Sequence, residues 1–240
     1  MADTLLRTAG LTMRFGGVTA LHGIDFALAQ GELRCVIGPN GAGKSTFFKC
    51  LTRQYRPTSG TVEFQGEDVT AVDTHAIARR GVGIKTQVPS VFDGLDVRQN
   101  VWLAACRRHR GRAVDKAVDE SLQRLSIAGI ADQLVGRLSH GERQWVELAM
   151  VVASEPVLIL LDEPTAGMTH EEVDRTAGLI REINRTASLI VVEHDMQFIR
   201  SIASRVTVFH QGAVLVEDDV DTVMRDQRVR DVYLGKHAGR

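Results

Sequence analysis

The chain has 240 residues, 44% hydrophobic and 25% charged, with 29 Lys and Arg against 30 Asp and Glu for a net charge of −1. Such a composition carries one sizeable globular core and does not indicate a broad basic surface for nucleic acid, a local patch apart. No apolar run approaches the ~20 residues of a membrane span, MADTLLRTAG lacks the apolar core of a signal peptide, and Cys35, Cys50 and Cys106 show no metal-ligand spacing, which reads as buried small hydrophobes in a reducing compartment.

Strand-like runs come first: LLRTAGLTMRF (5–15), IDFALA (24–29), LRCVI (33–37) and, after the turn-rich RPTSG, TVEFQG (61–66). They predict an antiparallel β subdomain wrapped around the first core strand. From Asp96 to about Ala131, VRQNVWLAACRRH and AVDKAVDESLQRL place apolar residues three and four apart with charges between. This predicts an α-helical subdomain, residues 90–140, inserted into an α/β core. The core resumes with a helix from Gly141 to Ser154 and the apolar strand VLILLD (157–162). A helix (170–185), the strand SLIVVE (188–193) and the helix MQFIRSIA (196–203) follow, and RVTVFHQGAVLVED reads as two strands turning at Gln211-Gly212. Strands alternating with helices imply a mostly parallel sheet covered on both faces. With no repeat, low-complexity segment or long linker, residues 1–240 read as a single domain.

Residues 38–46, GPNGAGKST, match G-x-x-x-x-G-K-[ST] between an apolar strand and a helical pattern, the context a phosphate loop requires. Gly38, Pro39, Asn40, Gly41, Ala42 and Gly43 form the turn whose amides curl around phosphate oxygens. Lys44 adds a mobile positive charge, Ser45 is placed to coordinate Mg²⁺, and Thr46 continues into the helix. VLILLDEP ends in Asp162 and Glu163 at the carboxyl end of a core strand, where α/β sheets bind ligands. Asp162 suits the Mg²⁺ shell and Glu163 the activation of an attacking water. LIVVEHD repeats the design, and His194 stands equally as a structural residue or as a γ-phosphate contact. Gln87, after GIKT, reads from spacing alone as a surface glutamine, although its amide has the chemistry to reach a metal or orient a water. Ser139 followed by Glu142 fits a capping box opening a helix.

Taken in order, GPNGAGKST, the Gln of KTQVPSVF, LSHGERQ, LILLDEP and the His of VVEHD resemble the nucleotide-binding subunit of ABC transporters over almost the whole chain. The resemblance implies an ATPase using ATP and Mg²⁺, with a P-loop core and two subunits facing head to tail. It assigns Glu163, His194 and Gln87 to catalysis, Ser45, Gln87 and Asp162 to the metal, and Phe15 to stacking on adenine. It further implies that Ser139 and Gly141 touch the γ-phosphate of ATP held by the other subunit, and that residues 165–169 link the two sites. Three positions depart from the usual pattern: Thr169 replaces an acid, His140 a glycine and Glu142 a glutamine. Before Gln87, where members often carry Arg and an aromatic, stand Ile84 and Thr86.

RFGGVTAL and VYLG are similar to the importer branch for branched-chain amino acids and related polar solutes. LSHGERQWVELAM, LLDEPTAGMT and VVEHDMQFIRSIASRVTVFHQG are more similar to the ATP-binding subunit of urea-type importers. The resemblance implies transmembrane permease subunits docking near residues 88–103, a second ATP-binding subunit of the same or a different kind, and a solute-binding protein engaged through the permease. Nucleic acid is not expected, and the implied location is the inner face of the cell membrane. The alternative is a soluble ABC ATPase of repair, ribosome function or cofactor assembly. Against it, the phosphate loop and signature are separated compactly, and the chain carries only one such domain.

Overall fold

The computed structural model describes residues 3–87 and 90–234. The chain divides into two compact units, residues 1–78 with 188–240, and residues 79–187.

In the first unit β1 (Thr4–Phe15) and β2 (Val18–Ala29) form a long hairpin around Gly16-Gly17, and β3 (Leu33–Ile37) leads into α1 (Lys44–Leu51). β4 (Ser59–Phe64) and β5 (Glu67–Asp68) complete an antiparallel sheet of order β2-β1-β4-β5, and α2 (Thr74–Arg79) carries the chain to the boundary. β1 does not alternate cleanly: its pairing with β2 shifts register between Thr8 and Leu11, around Gly10 at φ +57°. Such bulges re-aim side chains, which lets a twelve-residue strand curve around its core.

The second unit opens with β6 (Val82–Lys85), then α3 (Val97–Ala105), α4 (Arg112–Arg124), α5 (His140–Val152), β7 (Leu158–Asp162) and α6 (His170–Asn184). β6 and β7 pair in parallel, Val82 opposite Leu158 through Lys85 opposite Leu161. α3 is capped by Asp96 in a full capping box with Gln99. Its buried Val97 and Val101, with Val118 and Leu122 of α4 and Val146 and Leu148 of α5, make the apolar interior of the helical region.

The chain returns to the first unit through β8 (Ser188–Val192), α7 (Met196–Ile202), β9 (Arg205–His210), β10 (Ala213–Asp219), α8 (Val220–Arg225) and α9 (Gln227–Leu234). The strand order there is β10-β9-β3-β8, with β3 parallel to both neighbours and β9–β10 a hairpin. β3 and β8 are buried at every residue, the mark of central parallel strands. The rings of Phe26, Phe47 and Phe209 meet at 5.3 and 5.1 Å and join the antiparallel sheet, α1 and β9 in one core. Arg34 lies in this core, 1% exposed, its guanidinium paired with Glu32 and Glu217 and donating to Thr207 Oγ1.

The expected α/β architecture, with parallel core strands, an antiparallel N-terminal sheet and a helical region, is present. Cys35 and Cys50 are buried as expected, but Cys106, just past α3, is only half-buried. Among the described residues no helix is long and apolar enough to cross a membrane.

Candidate functional site: a phosphate loop and two carboxylate strand ends

Two of the loop glycines are dictated by space. Gly38 has φ +149°, and a Cβ there would lie 2.2 Å from the carbonyl oxygen of Phe209. Gly43 has φ +104°, and its Cβ would lie 2.8 Å from the carbonyl of Ala20. Gly41, at φ +79°, faces open space and needs glycine only for its backbone conformation. The Ala42 carbonyl accepts from the N–H of Gly212, whose own carbonyl accepts from His22. The β9–β10 turn and β2 therefore brace the loop from behind. Lys44 Nζ donates to the carbonyls of Gly38 (2.6 Å) and Pro39 (3.1 Å), which keeps the ammonium against the loop. Ser45 and Asn40 are exposed, Pro39 and Thr46 half-buried. A glycine loop feeding the N-terminus of α1 offers several amides and one cation to an anion, so the residues present fit a nucleotide phosphate.

The parallel register of β3 and β8 sets Val36 opposite Val192. The phosphate loop and the Glu193-His194 step thus leave the same end of neighbouring strands. The His194 ring is exposed, with Nδ1 3.8 Å from Glu193 Oε2, the oxygen that also accepts the His194 backbone N–H. Asp195 caps α7, accepting from Gln197 and Phe198. Phe15 ends β1 with its ring 43% exposed, held edge-on by Tyr55 at 5.2 Å. Tyr55 in turn donates its backbone N–H to the Lys49 carbonyl of α1. The exposed ring is therefore fastened to the helix that follows the phosphate loop.

The second unit repeats the strand-end logic. Lys85 opposite Leu161 puts Thr86-Gln87 and Asp162-Glu163 at one end of a parallel pair. Glu163 adopts φ +46°, a left-handed conformation rare for a branched or long side chain. Gln87 Nε2 donates to Glu163 Oε2 at 2.8 Å. Gln87, which spacing alone left as a surface residue, is thus brought against the candidate base.

Ser139 is the N-cap of α5 in a full capping box with Glu142, so the capping expectation holds. Gly141 is buried against α6: a Cβ there would lie 2.2 Å from Glu172 Oε1. His140 Nε2 lies 2.9 Å from the Ala166 carbonyl, so this departure from the usual glycine ties the start of α5 to the 165–169 loop. Thr169 is the N-cap of α6, again with a capping box, to Glu172. Lys44, Ser45 and His194 belong to the first unit; Gln87, Ser139, Gly141, Asp162 and Glu163 belong to the second. The exposed Phe92, Trp102 and Leu103 lie within the segment expected to meet a permease; Val88, where that segment begins, lies outside the described residues.

Sequence reasoning missed the bracing of the loop by Phe209 and Gly212, the Arg34 cluster, and the ion pair of Lys85 with Glu147, both fully or nearly buried. A carboxylate inside the apolar run WVELAM was the available signal for the last.

A parallel α/β core with a strand–glycine loop–helix phosphate site defines a P-loop nucleotide-binding ATPase. The chain belongs to the ABC transporter family, whose sequence model matches residues 21–166. The high-affinity branched-chain amino acid transport ATP-binding protein BraF of Pseudomonas aeruginosa is 31% identical over 98% of this chain and 100% of its own. LivG of Escherichia coli K12, named for the same transport, has the same identity and coverage. The ADP conformation of MJ1267, an ATP-binding cassette of an ABC transporter, superposes with a TM-score of 0.90 at 23% identity, over 98% of this chain and 100% of that one, which shows the shared fold.

Proposed function

We propose that this chain is the ATP-hydrolysing motor subunit of an importer for a small polar solute, of the branched-chain amino acid, urea or short-amide class. The observation that carries the mechanism is the 2.8 Å hydrogen bond from Gln87 to Glu163 at the end of β7. It orients the carboxylate that is to accept a proton from an attacking water. The loop from Gly38 to Gly43 and Lys44 hold the phosphates, His194 contacts the terminal one, and Phe15 stacks on the adenine. Ser45, Asp162 and Gln87 would hold Mg²⁺, which when bound neutralises charge on the phosphate oxygens; so small a protein set is usual for Mg²⁺, whose shell is completed by phosphates and water.

Ser139, exposed at the start of α5, and Gly141, buried beside it, are assigned to the nucleotide of a second ATP-binding subunit, identical or different. Permease subunits dock near residues 88–103 and convert closure and release of the pair into transport, engaging a solute-binding protein on their far side. The motor then sits on the inner face of the membrane without contacting nucleic acid. BraF and LivG are transport proteins by name, which supports this reading over a soluble ABC ATPase.

Glu163→Gln keeps the partner for Gln87 and removes the base. Hydrolysis should fall by roughly 10²–10⁴ while ATP binding persists; hydrolysis at the wild-type rate would remove the role. Co-purification from native membranes should yield multi-span permeases, and recovery only with nucleic acid or a soluble scaffold would sink the transport role while leaving the ATPase.

A further inference from the structure

Glu147 lies on α5, nearly two turns beyond Gly141, and is 4% exposed. Its Oε1 accepts the backbone N–H of Ser90 at 3.0 Å, and its Oε2 stands 3.7 Å from Nζ of the fully buried Lys85. Lys85 Nζ also donates to the Thr86 carbonyl. One carboxylate therefore grips the chain two residues before Gln87 and three residues after it.

Stability is a poor reason for this arrangement. Each buried charge costs several kcal/mol in desolvation, and well-packed apolar replacements of such pairs are often neutral or stabilising. Burial indeed pushes the Glu147 carboxyl up, with Lys85 and the Ser90 N–H pulling it back. The neighbouring tie from α5 to the same loop, Arg143 to Asp93 at 2.6 Å, is solvent-accessible and therefore screened, too weak to hold the loop by itself.

We propose that Glu147 is a positioning residue for ATP hydrolysis: by holding Lys85 and Ser90 it fixes the loop that presents Gln87 to Glu163. The inference rests on the reading of Glu163 and Gln87 given above. It also makes the helix that starts at Ser139 the support of Gln87, so the two assigned contacts share one rigid element.

Removing Glu147 alone would take the carboxylate from beside the fully buried Lys85 ammonium, so the test neutralises both. Lys85→Met/Glu147→Leu removes the acceptor for Ser90; Lys85→Met/Glu147→Gln retains an amide oxygen for it. Both are made in the full chain, with and without Gln87→Ala, and steady-state hydrolysis is compared with nucleotide affinity. The Leu pair should lower kcat about 10- to 100-fold at an ATP KM unchanged within about twofold. The Gln pair should recover most of that loss, and in the Gln87→Ala background the two pairs should be indistinguishable. Equal activity of the two pairs beside wild-type Gln87, or a loss that persists undiminished without Gln87, overturns the assignment. If Gln87→Ala and Glu163→Gln each hydrolyse ATP normally, the reading of the site falls as well; if they are impaired and the Leu pair is not, only the role of Glu147 falls.

Discussion

Gly141→Ala should change stability with a sign that depends on Glu172. In a helix interior, glycine to alanine ordinarily stabilises by about 0.5–1 kcal/mol. Here the new Cβ would stand 2.2 Å from Glu172 Oε1, 2.5 Å from Cδ and 3.1 Å from Cγ, so the carboxylate has to swing away. That carboxylate is committed: its Oε2 accepts from the Thr169 N–H at 2.9 Å and from Thr169 Oγ1 at 3.0 Å in the capping box of α6. Losing the box costs about 0.5–2 kcal/mol, enough to cancel or outweigh the helix gain. In a Glu172→Ala background those three atoms are gone and no cap is at stake, and Gly141→Ala should stabilise by up to about 0.5–1 kcal/mol. The coupling between the two sites is then the cost of the box, about 0.5–2 kcal/mol. Urea unfolding of the four proteins at constant m reads it directly, and thermal melts should show about 2–4 °C per kcal/mol. Coupling below about 0.5 kcal/mol would show that the carboxylate moves aside without loss and that the box does not depend on a bare Gly141.

Phe15→Ala should weaken ATP binding by about 1–3 kcal/mol, the worth of one base stacked on an aromatic ring, as read by calorimetry; an unchanged affinity would remove the ring from the adenine site. Arg34→Met should destabilise by about 3 kcal/mol, because Glu32 and Glu217 lose a buried partner although both retain some water; a cost under about 1 kcal/mol would mean the guanidinium does not hold β3 to its neighbours. Burial raises the Cys50 thiol from 9.0 to about 11 and pushes Cys35 up further, with Glu193 adding to the effect. A thiol raised in the folded state contributes stability that is present below pH 9.0 and lost as pH rises toward about 11, so the urea midpoint should fall across that window. Under mild alkylation half-buried Cys106 should react first, and Cys35 or Cys50 only on unfolding.

The phosphate loop was legible because everything that makes it is local: an apolar strand, glycines at fixed spacing and a lysine opening a helix. The ends of VLILLD and SLIVVE were legible for the same reason, as unbroken aliphatic runs stopping at acids. Gln87 was not, because its meeting with Glu163, 76 residues away in sequence, depends on the parallel register of β6 and β7, which no local pattern encodes. Glu147 escaped by a related route: only the packing of α5 on β6 shows that its charge faces a lysine rather than solvent. The helices α8 and α9 went unassigned in the sequence: charges outnumber apolar residues in DDVDTVMRDQRVRD, yet Asp219 caps α8 through the Thr222 N–H, and Val220 and Val223 are buried.

Two of the three departures, Glu142 and Thr169, belong to the same device used twice in the fold. Ser139-His140-Gly141-Glu142 and Thr169-His170-Glu171-Glu172 each open a helix with a hydroxyl N-cap answered by a glutamate three residues on. Glu142 in place of the usual glutamine keeps that reciprocal bond, its Oε2 accepting the Ser139 N–H at 2.8 Å. Thr169 in place of the usual acid keeps the cap of α6, so the loop from 165 to 169 still ends in a defined place; what it loses is a negative charge. His140 adds a bond to the Ala166 carbonyl that a glycine has no side chain to make. The start of α5 and the loop before α6 are therefore joined by that bond and by the contact of Gly141 with Glu172. Both of these contacts are made without a charge at residue 169. Thr169→Asp should accordingly preserve the α6 cap, since aspartate caps at least as well as threonine, while Thr169→Val should cost about 0.5–2 kcal/mol. Equal stability of the valine and wild-type proteins would show that the loop is fixed by something other than its cap.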